Sequence, residues 1–111
     1  MREISPGRAL EEYLTGAVVV LDVRTRVEWV GGHIPRAIHM PMHDLPARFH
    51  ELDPEADTLV ICQHGVRSDL ATRWLAGVGF SRVANVQRGM SAWDGPVELG
   101  EGAPTPDLRG S

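Results

Sequence analysis

The stretch Thr58-Leu59-Val60-Ile61-Cys62-Gln63-His64-Gly65-Val66-Arg67-Ser68 decides the fold. Thr58 to Ile61 is a short apolar, largely β-branched run, the pattern of a strand covered on both faces. Cys62 stands at its C-terminal end, and Gln63 to Arg67 reads as a loop. From Ser68 to about Val78 the apolar residues Leu70, Trp74, Leu75 and Val78 recur at helical spacing, with Gly79 as the stop. Strand, loop and helix in this order make half of a βαβ unit.

Working outward, the same alternation recurs. Ser5-Pro6 fits an N-cap with proline at the first helical position, and Leu10, Tyr13 and Leu14 share one helical face before Gly16. Ala17 to Val23 is a second buried strand. Thr25, with Glu28 three residues on, reads as a capping box for a short helix ending at Gly31-Gly32. After Ile34-Pro35 comes a brief strand from Ala37 to Met40. Asp44-Leu45-Pro46 opens a helix with Leu45, Phe49 and Leu52 on one side. Beyond the central unit, Arg82 to Val86 is a further strand and Gly89 to Trp93 a last short helix, and Gly100 to Ser111 reads as a frayed tail. Buried strands alternating with helices predict a parallel sheet with right-handed crossovers. Ligands of such sheets bind beyond the carboxyl ends of the strands, where Asp22-Val23-Arg24 and Cys62 both fall.

At 111 residues the chain is the size of one domain. Its apolar runs are far shorter than the ~20 residues of a membrane span. Glu3 and the lack of an apolar stretch before Pro6 do not fit a secretory signal, so a cytoplasmic location is expected. The net charge is −4, and the arginines are scattered without forming a basic stripe, which argues against nucleic acid as a partner. A single cysteine rules out an internal disulfide and a Cys-rich zinc site. His33, His39, His43 and His50 form no recognisable metal pattern, so no metal and no cofactor are expected. Trp29, Trp74 and Trp93 are expected in the core or at its margin.

A lone thiol is either a small core hydrophobe or a nucleophile, and its neighbours decide. A nucleophilic cysteine must ionise, and its free pKa of about 8.5 leaves little thiolate at neutral pH. Here loop N–H groups can curl round the sulfur, the N-terminus of the next helix points at it, and Arg67 is a permanent cation within reach. Gly65 accepts positive φ and suits a tight cradle. Gln63 and Val66 are expected to contribute backbone N–H groups and Ser68 to cap the helix. His64 either orients substrate or faces solvent.

Cys62 to Arg67, followed by Ser68, resembles the active-site loop of the rhodanese family. Leu21-Asp22-Val23-Arg24, Glu28-Trp29, Gly32-His33-Ile34-Pro35 and Ala37 to Pro41 are similar to the family's first half. Leu59 to Cys62, Ala71 to Leu75, Gly79-Phe80 and Gly89 to Trp93 are similar to its second. The resemblance spans roughly residues 6 to 96. It implies a three-layer α/β domain over residues 1–98, with a central, mostly parallel sheet of about five strands flanked by helices, and a flexible tail from 99 to 111.

It further implies a thiosulfate sulfurtransferase acting through a Cys62 persulfide, with Arg67 beside it and residues 63 to 66 and Ser68 holding the sulfur. Asp22, Arg24 and His33 would support the loop. The partners implied are a small sulfur donor (thiosulfate or a persulfide) and a thiol or cyanide acceptor, among which a thioredoxin-like or other sulfur-acceptor protein is included. Four residues separate Cys62 from Arg67, one fewer than in the cysteine phosphatases, which favours a single sulfur atom over a tetrahedral phosphate. The competing readings are a persulfide carrier for a dedicated partner, a phosphatase or arsenate reductase, and a non-catalytic binding module. Two positions depart from the family pattern. Arg36 stands where glycine is common, which would alter that turn. Met90 follows Gly89 where a second glycine is common, which would reshape one wall of the pocket.

Overall fold

The buried runs become adjacent strands in the computed structural model, which describes residues 2–102. In chain order the elements are β1 (Arg2–Ile4), α1 (Pro6–Leu14), β2 (Val19–Asp22), α2 (Arg26–Val30), β3 (Ile38–His39), α3 (Leu45–Arg48), β4 (Thr58–Ile61), α4 (Val66–Gly77) and β5 (Val83–Val86). The five strands form one sheet in the order β1-β5-β4-β2-β3, and every neighbouring pair is parallel. The β2–β4 register sets Leu21 against Val60 and Asp22 against Ile61, so these two strands end side by side.

The alternation of β4 sorts its residues between two cores. Leu59 and Ile61 face a cluster with Ile4, Ala9, Tyr13, Val20, Val86 and Trp93, under α1 and the turn after β5. Val60 and Cys62 face the other cluster, with Leu21, Leu45, Ala71 and Leu75 under α3 and α4. The result is the expected three-layer α/β sandwich. Each fully buried aliphatic side chain stabilises such a core by about 1.5–3 kcal/mol.

Several local expectations change. β1 was not anticipated: it has three residues, two of them exposed, and exists through its pairing with β5. α1 buries Ala9 and Tyr13 and leaves Leu14 exposed. α4 starts at Val66, not Ser68, and buries Ser68, Ala71, Thr72 and Leu75, whereas Leu70, Trp74 and Val78 lie outside. The polar pair tolerates burial because Thr72 Oγ1 donates to the Ser68 carbonyl at 2.6 Å and the Ser68 hydroxyl is itself bonded. The helix expected from Asp44 is broken into α3 flanked by 3-10 turns at Met42–Asp44 and Phe49–Glu51. Of the segment expected to form a tail, Gly100 N–H donates to the Val30 carbonyl at 2.8 Å, and the Glu101 carbonyl accepts from Trp29 Nε1 at 3.1 Å. Residues 103–111 of that tail lie outside the described residues.

Arg36 takes φ 69°, in the left-handed region that glycine enters most freely. Its guanidinium lies over the Tyr13 ring at 4.8 Å, and Tyr13 Oη donates to the Pro35 carbonyl at 2.8 Å. These contacts offset the strain of about 1–2 kcal/mol that a side chain meets there.

Candidate active site

Cys62 follows the last residue of β4, at the carboxyl edge of the sheet, and is buried. Its backbone is clamped by the 3-10 turn Gly89–Ala92: Met90 N–H donates to the Cys62 carbonyl at 2.9 Å, and Ser91 N–H to that of Gln63 at 3.0 Å. Gly89 permits this approach, since a Cβ there would collide with the Cys62 carbonyl oxygen. The left-handed residues at this turn are Arg88 (φ 61°) and Gly89 (φ 53°). Met90 makes no such demand on the backbone, and its side chain lines the neighbouring cavity.

Gly65 takes φ 91° and serves as the N-cap of α4, where a Cβ would approach the Arg88 nitrogen to 2.9 Å. Its N–H donates to Cys62 Sγ at 3.1 Å, and Ser68 N–H donates at 3.3 Å. The Cys62 thiol donates to Ser68 Oγ at 3.2 Å. Burial acts on the thiol most strongly and pushes its pKa up. The Ser68 hydroxyl and the N–H groups of Ser68, His64 and Gly65 more than offset this, and the thiol titrates below its ordinary value. The loop therefore favours an anionic sulfur through hydrogen bonds rather than through a bare cation.

Ser68 is not the helix cap expected of it. Its hydroxyl turns inward and donates to Asn85 Oδ1 at 2.5 Å, because Ser68 lies on the buried face of α4, below the sulfur. His64 contributes its backbone N–H, and its side chain is exposed, as is that of Val66.

Arg67 is held by Glu28 and still feels the charge of Cys62. Its two terminal nitrogens grip Glu28 Oε1 and Oε2 at 2.7 and 2.8 Å. The same carboxylate accepts from Thr25 N at 3.1 Å, closing the expected capping box of α2. One acid thus ties the N-terminus of α2 to that of α4 across the mouth of the site. The Arg67 guanidinium, aided by the Thr25 bond and opposed by partial burial, holds the Glu28 carboxyl down at about 2. Sequence reading gave Glu28 only its capping role.

Asp22 and Arg24 form a fully buried pair, with Nη2 and Oδ2 at 2.8 Å. Arg24 Nη2 also donates to the Gly32 carbonyl at 2.7 Å, and Nη1 to Gln63 Oε1 at 3.1 Å. The guanidinium thereby joins the end of β2 to the loop and to the Gly31-Gly32 turn. His33 is buried between the Trp29 carbonyl (Nδ1, 2.9 Å) and Glu98 Oε1 (Nε2, 2.9 Å), and its ring stacks on Trp29 at 3.7 Å. These bonds tie His33 to the end of α2 and to Glu98.

Beside the loop opens a cavity of about 410 Å³, lined by Arg24, Val27, Glu28, Gln63, Met90 and Val97 among others. Among the described residues no group of three or more His, Cys, Asp or Glu could hold a metal ion, and no helix is long and apolar enough to cross a membrane.

The sequence matches the family described as Rhodanese-like domain over residues 5–95. It is 39% identical over 92 residues to the thiosulfate sulfurtransferase GlpE of Pseudomonas entomophila, covering 83% of this chain and 84% of that protein. It is 38% identical over 79 residues to a sulfurtransferase of Allochromatium vinosum, covering 71% and 74%. Among solved structures it is similar to a rhodanese-related protein from Thermoplasma volcanium, with a TM-score of 0.81 and 32% identity over 89% of this chain and 99% of that one. A buried thiol cradled by the N-terminus of α4 at the edge of a five-stranded parallel sheet agrees with these likenesses, and the chain belongs to the rhodanese-like domain family.

Proposed function

We propose that the protein is a sulfurtransferase that takes a sulfane sulfur from thiosulfate onto Cys62 and hands it to a thiol or cyanide. The observation that carries this reading is the single cysteine, whose sulfur receives N–H groups from Gly65 and Ser68 and titrates below an ordinary thiol. Relatives that are sulfurtransferases by name support the reaction class, and GlpE supports thiosulfate as donor.

In the first half-reaction the Cys62 thiolate attacks the outer sulfur of thiosulfate. A new S–S bond forms, the S–S bond of thiosulfate breaks, and its electron pair leaves with sulfite. The product is a Cys62 persulfide whose negative charge rests on the outer sulfur, within reach of the N–H groups of residues 63 to 67. In the second, an acceptor anion attacks that outer sulfur and Cys62 departs as thiolate. Arg67 provides the cation for the sulfonate end of the donor, with Glu28 holding it at the rim. Gln63, His64, Gly65, Val66 and Ser68 line the sulfur cradle, and Asp22, Arg24 and His33 keep the loop in place. Thiosulfate and cyanide should give the parallel double-reciprocal lines of a ping-pong enzyme, abolished by Cys62→Ser. Intersecting lines, or activity retained in Cys62→Ser, would contradict the covalent route.

A further inference from the structure

Asn85 is a polar residue in the middle of the buried run Val83-Ala84-Asn85-Val86, and it stands behind the nucleophile rather than beside it. The parallel registers place it next to Glu3 on β1 and Val60 on β4. Its amide nitrogen donates to Glu3 Oε2 at 2.9 Å and to the Gly65 carbonyl at 3.3 Å. Both partners are acceptors, so the orientation of the carboxamide is fixed: nitrogen toward them, oxygen toward Ser68. Asn85 Oδ1 therefore accepts the one hydrogen of the Ser68 hydroxyl, at 2.5 Å.

That hydrogen has two claimants. While Cys62 is a thiol, its S–H donates to Ser68 Oγ, Ser68 donates to Asn85, and among the described residues no buried side-chain nitrogen or oxygen lacks a partner. When Cys62 ionises, Sγ can only accept. Beyond its backbone N–H, Ser68 can serve the thiolate with its hydroxyl only if that hydrogen leaves Asn85 for the sulfur, and Asn85 Oδ1 then loses its donor in a buried place. Once a sulfur atom is added, Sγ becomes the neutral bridging atom of the persulfide and the charge moves outward to the loop. The Ser68 hydrogen is then free to return to Asn85.

We infer that Asn85 is a positioning residue that acts through Ser68 to disfavour the free Cys62 thiolate relative to both the thiol and the persulfide, so that the domain is biased toward its loaded form. This rests on the sulfurtransferase reading for its last part only; the competition for the hydroxyl hydrogen stands without any sulfur donor. The charged groups around Sγ leave the carboxamide as the partner that decides. Arg67 is paired with Glu28 at the rim, Asp22 with Arg24 at the end of β2, and Asp69 with Arg73 on α4. Glu3 reaches the site only through Asn85, and the His64 side chain is exposed.

The test is the pH dependence of Cys62 alkylation by iodoacetamide, in the full chain, for wild type, Asn85→Ala, Ser68→Ala and the double variant. Removing Asn85 should raise the alkylation rate below the thiol pKa by roughly threefold to tenfold, the range of one buried hydrogen bond. The gain should vanish in the Ser68→Ala background, where a merely structural effect of Asn85 would persist. A gain that survives without Ser68, or a rate that falls in Asn85→Ala, overturns the inference. If Asn85→Ala does not fold, the side-chain amide NMR signals of Asn85 in the wild-type protein decide instead. They should shift as Cys62 ionises, return toward the thiol-state positions on loading with a cysteine-persulfide donor, and stay fixed through the titration in Ser68→Ala. Signals indifferent to ionisation in the wild type overturn the inference whether or not a persulfide forms.

Discussion

At the scale of single residues, the site works by hydrogen bonds to sulfur. Cys62 is buried, which by itself suppresses ionisation, and the N-terminal N–H groups of α4 reverse that penalty. Because the thiol titrates below its usual range, the rate of sulfur uptake should climb with pH and level off earlier than for a free cysteine, a profile that single-turnover measurements with thiosulfate would record. Arg67→Ala should leave the fold intact and weaken thiosulfate use by about tenfold or more, chiefly in KM, since the bound donor loses a charged partner. An unchanged KM would remove Arg67 from the binding of the donor. Cys62 and Arg67 were legible as candidates through the resemblance of their loop and its flanking segments to the rhodanese family, which the two residues alone would not have carried. Ser68 was legible as a candidate but not in its role, because its identity suits a helix cap and only the burial of that face of α4 turns it toward Sγ and Asn85. The trace Asn85 left in the sequence was a lone polar residue inside a buried strand.

At the scale of elements, the loop owes its shape to two glycines and one carboxylate. Gly65 and Gly89 let the loop, Arg88 and the turn after β5 approach more closely than any side chain would permit. Gly89→Ala must push the Cys62 carbonyl away, so it should cost about 2 kcal/mol or more in denaturant unfolding and depress sulfur transfer even at temperatures where the variant is folded. A stable, fully active Gly89→Ala would refute the clamp. β2, β4 and β5 were readable because β-branched runs between turn signals have few alternatives. α3 was readable in place but not in its breaks, and β1 was invisible because three residues, two of them solvent-facing, carry no periodicity. Of the apolar residues at helical spacing on α4, Leu75 is buried and Trp74 packs edge-on against Phe49 at the core margin, while Leu70 stays exposed; the sheet also covers Ser68, Ala71 and Thr72, whose polar members are satisfied internally.

At the scale of the whole molecule, the Glu28–Arg67 pair joins the first half of the chain to the second, as does Arg24 with Gln63. The Glu28 carboxyl falls from 4.5 to about 2 on folding. Its contribution is therefore fully present above about pH 4.5 and is lost as the pH falls toward 2. With the partial exposure of both side chains discounted, that contribution is about 1–2 kcal/mol. Thermal unfolding should accordingly show a Tm that drops over this window in the wild type and drops less in Glu28→Gln; equal slopes would show that the pair does not link the halves. The parallel sheet and the position of Cys62 at its carboxyl edge followed from the hydrophobic runs and their order, and the three layers from the family resemblance. The cross-chain ties did not, because an ion pair 39 positions apart has no local signature.

The whole proposed reaction stands on Cys62 carrying the sulfur. Intact-protein mass spectrometry after incubation with thiosulfate, without reductant, tests it most directly, with Cys62→Ser measured alongside. The wild type should gain one sulfur atom, reversed by cyanide or a thiol and absent from Cys62→Ser. No gain from thiosulfate or from a cysteine-persulfide donor, or an equal gain in Cys62→Ser, would contradict it.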